Sequence, residues 1–116
     1  GFPLNRVVMY PTTGALGYGL EYAYSIQERG RLAALAGDKM MSLPVICMVG
    51  AEAWRTKEAK ASAQDNPAWG DEATRGILWE VGTASTLLQA GSDIIVMRHP
   101  AAVTALKKTI NNVMLH

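Results

Sequence analysis

Three short apolar runs divide the chain, and each is followed by a segment with helical periodicity. The runs are Val7–Met9, Val45–Val49 and Ile94–Met97, and none of them alternates apolar with polar residues. Continuous apolar runs of this length are typical of parallel strands that are covered on both faces. The pattern therefore predicts an α/β fold of three successive βα units, with strands near 6–10, 45–49 and 94–97.

Apolar positions that recur every three or four residues predict the helices. The first helix is expected over about Gly19–Ala36, the second over about Glu72–Ala90 and the third from Pro100 onward. A shorter helix-like piece, Ala51–Ala61, follows the second strand. The positions expected to face the core are Tyr22, Ile26, Gly30 and Ala33, then Ile77, Leu78, Val81, Ala84, Ser85 and Leu88, then Ala102, Leu106, Ile110 and Val113.

Three parallel strands alone would leave two bare apolar edges, which would pair with any strand offered to them. The chain is therefore expected to be part of a larger structure. A section of a (βα)8 TIM barrel, about 250 residues long when complete, is favoured because the strand-to-helix connections are long and the helix-to-strand loops are short. A small doubly wound fold is the alternative. Residues 1–116 are expected to form one partial TIM-barrel domain.

Charge and cysteine content narrow the function classes. Eleven Lys and Arg residues against ten Asp and Glu residues give a formal charge of +1, and the cations are dispersed, so nucleic acid is not an expected partner. The single cysteine, Cys47, cannot form a disulfide within the chain or supply a zinc or iron–sulfur site, and is expected to be a small core residue. No apolar run approaches the ~20 residues that span a bilayer, so a cytoplasmic setting is expected.

Ligands of parallel α/β folds bind where the strands end, so the three strand-to-helix connections are the candidate sites. The first connection reads PTTGALGYG. Its GxxGxG spacing differs from the GxGxxG of nicotinamide sites, and it lacks the GK[ST] ending of a phosphate-binding loop. The hydroxyls of Thr12 and Thr13 could bind a ligand, and Gly14 and Gly17 would admit its close approach. Tight turns and a helix cap are the simpler explanation.

The second connection contains Glu52, Trp54 and Trp69. The two indoles could form a lid or stacking wall for a planar cofactor, or they could anchor the connection to the rest of the domain. Glu52 could act as an acid or a base, or it could be a solvated charge at the start of a helix.

The third connection begins with Arg98 and His99. The imidazole could bind a ligand or cap the helix that Pro100 opens. No second histidine stands at a ligand spacing, because the other histidine, His116, is the last residue of the sequence, so a metal site is not expected.

Two long segments in the same order carry a family resemblance. They are PTTGALGYGLEYAYSIQERGRLAALAGDKMMSLPVICMVGAEAW and GDEATRGILWEVGTASTLLQAGSDIIVMRHPAAV. From about Leu4 to Met114, the chain resembles the C-terminal part of the small subunit of the corrinoid iron–sulfur protein, whose archaeal counterpart is the delta subunit of the acetyl-CoA decarbonylase/synthase complex.

The resemblance implies a TIM barrel that pairs with a large subunit carrying the iron–sulfur cluster, with a corrinoid (cobamide) held between the two and no cluster in this chain. Such a protein shuttles a methyl group between a methyl-tetrahydropterin and the nickel site of acetyl-CoA synthase, so the methyltransferase and synthase components are implied partners. By position, the implied cofactor-binding residues are Thr12, Thr13, Gly14, Gly17, Tyr18, Gly50, Trp54, Arg98 and His99. Tyr10 stands where bacterial relatives carry an acidic residue, so a carboxylate at that position is not implied.

Two other functions fit the same residues. The domain could be a pterin-dependent barrel methyltransferase in which Glu52 or His99 handles protons, and it would then transfer methyl groups without a partner. It could instead be a docking subunit whose residues never touch the cofactor.

Overall fold

The computed structural model describes residues 1–114 and leaves Leu115 and His116 outside the description. Within that range the helices are α1 (Leu20–Leu35), α2 (Val49–Trp54), α3 (Lys57–Lys60), α4 (Glu72–Ala90) and α5 (Pro100–Met114). The strands are β1 (Ile46–Cys47) and β2 (Ile94–Ile95), and short 3-10 turns cover Leu4–Arg6, Met40–Ser42 and Pro67–Trp69. The fold class is therefore α/β, and the bounds of α4 match the prediction. The predicted helix over Ala51–Ala61 is two helices, because Thr56 caps the start of α3 by accepting a hydrogen bond from Ala59 N.

The sheet is parallel, as the apolar runs predict. The register of β1 and β2 pairs Ile46 with Ile94 and Cys47 with Ile95. Beyond the strands, Val96 N donates to Cys47 O and Gly50 N donates to Val96 O, both over 2.9 Å, so the hydrogen bonding continues to the start of α2.

The first predicted strand, at residues 6–10, is wrong in length. Only Met9 pairs, through a parallel bridge with Val45, where Met9 N donates to Pro44 O over 2.7 Å. The turn at Leu4–Arg6 ends the extended segment early, and among the described residues no chain lies on its outer edge to hold it straight. The three segments nevertheless lie side by side in chain order and point the same way.

Among residues 1–114, helices cover one face of the sheet, and no helix covers the other. Val45, Cys47 and Val49 are buried in the core, where they pack with Leu87 of α4 and Leu106 of α5. Successive strand residues point to opposite faces. The alternate positions Val8, Ile94 and Val96 are exposed.

The predicted face of α1 is wrong, and the predicted face of α4 is right only in part. On α1, Tyr22 and Ile26 are 69% and 47% exposed, and the buried residues are Leu20, Ala23 and Gln27. On α4, Ala84 is buried and Leu88 packs against the core as predicted, but Leu78 is 63% exposed. The other buried residues of α4 are Arg75, Gly76, Glu80, Thr83, Leu87 and Ala90. α4 packs against α1, α2, α3 and α5, so its buried face holds small residues and polar groups that find partners on those elements. On α5, Ala102 and Leu106 are buried as expected, but Ile110 and Val113 are exposed.

A closed polar triangle lies in the core beneath the sheet. Gln27 Nε2 donates to Cys47 Sγ over 3.0 Å, Ser92 Oγ donates to Gln27 Oε1 over 2.6 Å, and Cys47 Sγ lies 3.1 Å from Ser92 Oγ. All three residues are buried, so each polar group meets its hydrogen-bonding need from the other two. The expectation that Cys47 is a buried core residue is confirmed.

Asp71 makes the stability of α4 sensitive to acid. Its Oδ2 accepts from Thr74 N (2.9 Å) and Thr74 Oγ1 (2.8 Å), and these bonds lower the pKa of Asp71 below its ordinary value of 3.8. A lowered folded-state pKa stabilises the fold above the unfolded pKa, and this contribution is lost as the pH falls through the folded value. Asp71→Asn, which keeps a capping oxygen, is therefore expected to lose less stability than the wild type between pH 5 and pH 3, roughly the range that spans the unfolded pKa. Urea unfolding at both pH values measures this, and equal losses would contradict it.

Candidate functional site

The three predicted connections meet at one end of the sheet. Residues of the first connection share a pocket with Glu52 of the second. Gly50 of the second lies directly against Arg98 of the third, and the rings of Trp54 and His99 stack. We call this end, where residues 10–19, 50–58 and 98–99 come together, the rim.

A polar pocket of about 320 Å³ opens at the rim between the first connection and α2. It is lined by Tyr10, Pro11, Thr12, Thr13 and Glu52. The Thr13 hydroxyl is buried in this region, and among the described residues it has no hydrogen-bond partner. A buried hydroxyl without a partner is costly, and native structures usually satisfy it with a protein group, water or a ligand.

The rim glycines serve the backbone itself. A Cβ on Gly14 would lie 2.7 Å from the carbonyl carbon of Gly19, and a Cβ on Gly50 would lie 2.7 Å from Arg98 N. Close chain packing therefore explains both residues. Gly17 has φ +82°, a left-handed conformation that L side chains rarely adopt, and it faces open space. The sequence expectation that these glycines admit a ligand thus has a structural alternative at each position.

Tyr18 ties the first connection to the second. Its hydroxyl donates to Glu58 Oε2 over 2.8 Å and accepts from Lys57 N over 3.3 Å. The bond to Glu58 raises the pKa of the Tyr18 hydroxyl above its ordinary value. Tyr18 is half exposed, so its ring remains part of the rim surface.

Trp54 and His99 form a stacked pair. Their ring centroids are 5.8 Å apart and their planes are inclined by 18°. His99 Nδ1 accepts from Ala101 N over 3.0 Å, so the imidazole caps α5, as one of the two sequence interpretations expects. The Trp54 indole donates to Glu80 Oε1 over 2.7 Å, and its ring lies directly over Gly76.

Arg75 fastens the long second connection to α4. Its buried guanidinium donates to four main-chain carbonyls, at distances of 2.6 to 3.3 Å. The acceptors belong to Glu58, Ala61, Trp69 and Gly70. The Arg75 guanidinium also lies 5.6 Å from the centre of the Trp69 ring. Trp69 therefore anchors the connection, which was one of the two roles considered for it.

Glu80 and Arg75 are the residues that sequence reasoning missed. Both lie on the side of α4 that the apolar pattern assigns to solvent. A signal was available for Glu80, because it is the one charged residue between Arg75 and Asp93 in the sequence. A lone carboxylate in the middle of an apolar helix usually needs a specific partner.

Among residues 1–114, no group of three or more His, Cys, Asp or Glu side chains is placed to hold a metal ion. Within the same part of the chain, none of the helices has the length and apolar character needed to cross a bilayer.

Comparison with known proteins gives one consistent family. The family described as CO dehydrogenase/acetyl-CoA synthase delta subunit matches residues 1–114. The chain is 43% identical over 110 residues to the acetyl-CoA decarbonylase/synthase complex subunit delta 1 of Methanosarcina thermophila, which covers 91% of this chain and 25% of that protein. It is 40% identical over 112 residues to subunit delta of Archaeoglobus fulgidus, covering 94% of this chain and 25% of the relative. The chain is 38% identical over 113 residues to subunit delta of Methanocaldococcus jannaschii, and this match covers 93% of this chain and 26% of the relative. The chain thus spans about a quarter of the length of these relatives.

Proposed function

The chain belongs to the delta subunit family of CO dehydrogenase/acetyl-CoA synthase, and on this premise we propose that its rim is one wall of a corrinoid site. The corrinoid would be shared with a large iron–sulfur subunit. When bound, it would supply the methyl-transfer chemistry that links a methyl-tetrahydropterin to acetyl-CoA synthase. The residues of this chain would bind and orient it.

The bare sheet supports a barrel section as the framework of this site. Three parallel segments follow one another in chain order, and in the part of the chain that the structure describes, helices cover one face only. A section of a TIM barrel has this arrangement, because helices cover only the outer face of the sheet and inward side chains of all the strands fill the interior of the complete barrel. The relatives are about four times as long as the matched region, so the remainder of the subunit has the length to supply the other strands.

The orphaned hydroxyl of Thr13 is the observation that carries the proposal. It belongs to a residue that lines the polar pocket together with Thr12 and Glu52. The amide side chains of a corrinoid offer both N–H donors and carbonyl acceptors. A donor could meet the Glu52 carboxylate, and either group could meet the Thr13 hydroxyl. The residues present therefore fit the rim of such a cofactor.

Thr13→Val tests the proposal because it should separate binding from stability. Valine has nearly the shape of threonine and removes a hydroxyl that the fold itself does not use, so the free energy of unfolding is expected to stay equal or rise. Corrinoid binding by the full-length subunit, assembled with its large partner, is expected to weaken about 3- to 10-fold, the value of one hydrogen bond. The absorption of added hydroxocobalamin measures it.

The matched control is Thr104→Val on the exposed side of α5, which should leave binding unchanged. Equal binding by wild type and Thr13→Val would contradict the proposal. Transfer of a methyl group from methyl-tetrahydropterin by the isolated subunit, without its partner, would favour a barrel methyltransferase instead.

A further inference from the structure

We propose that Glu80 is the positioning residue of the rim, holding Trp54 and the Arg98–His99 segment in place for the ligand. The inference rests on the proposed function for what the rim binds. The contacts of Glu80 do not depend on the proposed function, because this one side chain of α4 joins two connections that are far apart in sequence.

The carboxylate of Glu80 accepts three hydrogen bonds. Oε1 accepts from the Trp54 indole over 2.7 Å and from His99 N over 3.1 Å, and Oε2 accepts from Arg98 N. Glu80 is 0% exposed, so all three bonds form away from solvent. Hydrogen bonds to a charged acceptor are stronger than neutral ones, and low local polarity strengthens them further.

Among the described residues, no cation forms an ion pair with the carboxylate of Glu80. The ion pairs found in residues 1–114 join Arg31 to Asp93 and Arg55 to Glu52, and neither involves Glu80. Burying an unpaired carboxylate is costly unless several donors surround it. An apolar residue would pack at this helix position without that cost. The three N–H groups that the Glu80 carboxylate holds therefore explain why a charged residue stands at this position.

Glu80 fixes the orientation of both rim rings. The bond to the indole sets the tilt of Trp54, and the bonds to two successive amides set the course of the chain at Arg98 and His99. The imidazole is then locked from two sides, by stacking on Trp54 and by the bond from Ala101 N to Nδ1. With Nδ1 acting as acceptor, the neutral ring carries its proton on Nε2. The rim thus presents a flat indole and an imidazole N–H in a fixed arrangement.

Glu80→Gln in the full-length subunit tests the assignment. The amide keeps the shape of the side chain but turns one acceptor into a donor that faces an N–H group. Hydrogen–deuterium exchange at the Arg98 and His99 amides is expected to become about tenfold faster, while exchange in the peptide around Cys47 stays unchanged. Hydroxocobalamin binding by the assembled complex should weaken by about tenfold. Glu28→Gln, on the exposed side of α1, is the control and should change neither.

The outcomes separate positioning from general stability. Faster exchange confined to the Arg98–His99 peptide, together with weaker binding, supports the assignment. Exchange that rises equally around Cys47, or binding that is unchanged, overturns it. If the wild type binds no corrinoid, the proposed function fails, and the exchange comparison alone decides whether Glu80 holds the rim.

Trp54→Phe covers the case in which Glu80→Gln does not fold. Phenylalanine keeps an aromatic face for His99 but removes the indole N–H, so the carboxylate loses one donor of three. Corrinoid binding is expected to weaken several-fold, with the Arg98 and His99 amides still protected. Unchanged affinity in this variant would also overturn the assignment.

Discussion

Replacing Gly76 by alanine is expected to displace Trp54 from the rim and to lower the free energy of unfolding by about 1–3 kcal/mol, the usual cost of overpacking. A Cβ at this position would lie 2.4 Å from Cη2 and Cζ3 of the indole. The ring cannot move aside without losing its bond to Glu80 and its stacking on His99. Urea unfolding of the full-length subunit measures the change in stability. Corrinoid binding by the assembled complex measures whether the displaced Trp54 impairs the rim.

Gly30→Ala is the matched control on α1. There a Cβ would be 3.7 Å from Met41 Sδ, an ordinary contact, so the substitution brings only the helix preference for alanine. Its expected effect has the opposite sign, a gain of up to about 1 kcal/mol. If both variants change the free energy of unfolding in the same direction, the explanation that Gly76 makes room for the Trp54 indole is wrong.

Arg75→Lys is expected to release the second connection from α4. Lysine keeps the charge, but an ammonium group lacks the planar fork that reaches carbonyls on both sides of the guanidinium. Losing several of the four bonds should lower the free energy of unfolding by about 2–4 kcal/mol. Limited proteolysis between residues 61 and 71 should become faster, since that segment would lose its fastening.

The control for Arg75 is Arg29→Lys, an exposed position on α1. It should leave both the stability and the cleavage pattern unchanged. Equal cleavage rates in Arg75→Lys and the wild type would mean that the connection is held by other contacts, such as those of Tyr18 with Glu58 and Lys57.

The sequence predicts the elements and their order better than it predicts their faces. Strong local signals explain the success: Asp71 caps α4, Gly91 follows its end and Pro100 opens α5. The convergence of Trp54 and His99 at the rim follows from the rule that parallel strands end at one edge. These features depend on neighbours in sequence or on general topology.

Helix faces depend on what packs against them, and here the apolar pattern was misleading. Ile26 and Leu78 are apolar and exposed because, among the described residues, nothing covers those sides of α1 and α4. Gln27 and Glu80 are polar and buried because partners far away in sequence satisfy them. Such partners lie outside the short stretch of sequence in which the periodicity of apolar residues is assessed. The length of the first strand was mispredicted for a related reason. Its pairing does not extend beyond Met9 without a second neighbouring strand.

The buried triangle of Gln27, Cys47 and Ser92 makes the reactivity of Cys47 a probe of how often the core opens. Cys47 is the one thiol in the sequence, and both of its polar neighbours lie in the core with it. A thiol reagent can reach Cys47 only after the helices have separated from the sheet. Within this region, the rate of alkylation therefore reports how often the core opens, and any partner that holds the sheet closed will slow it.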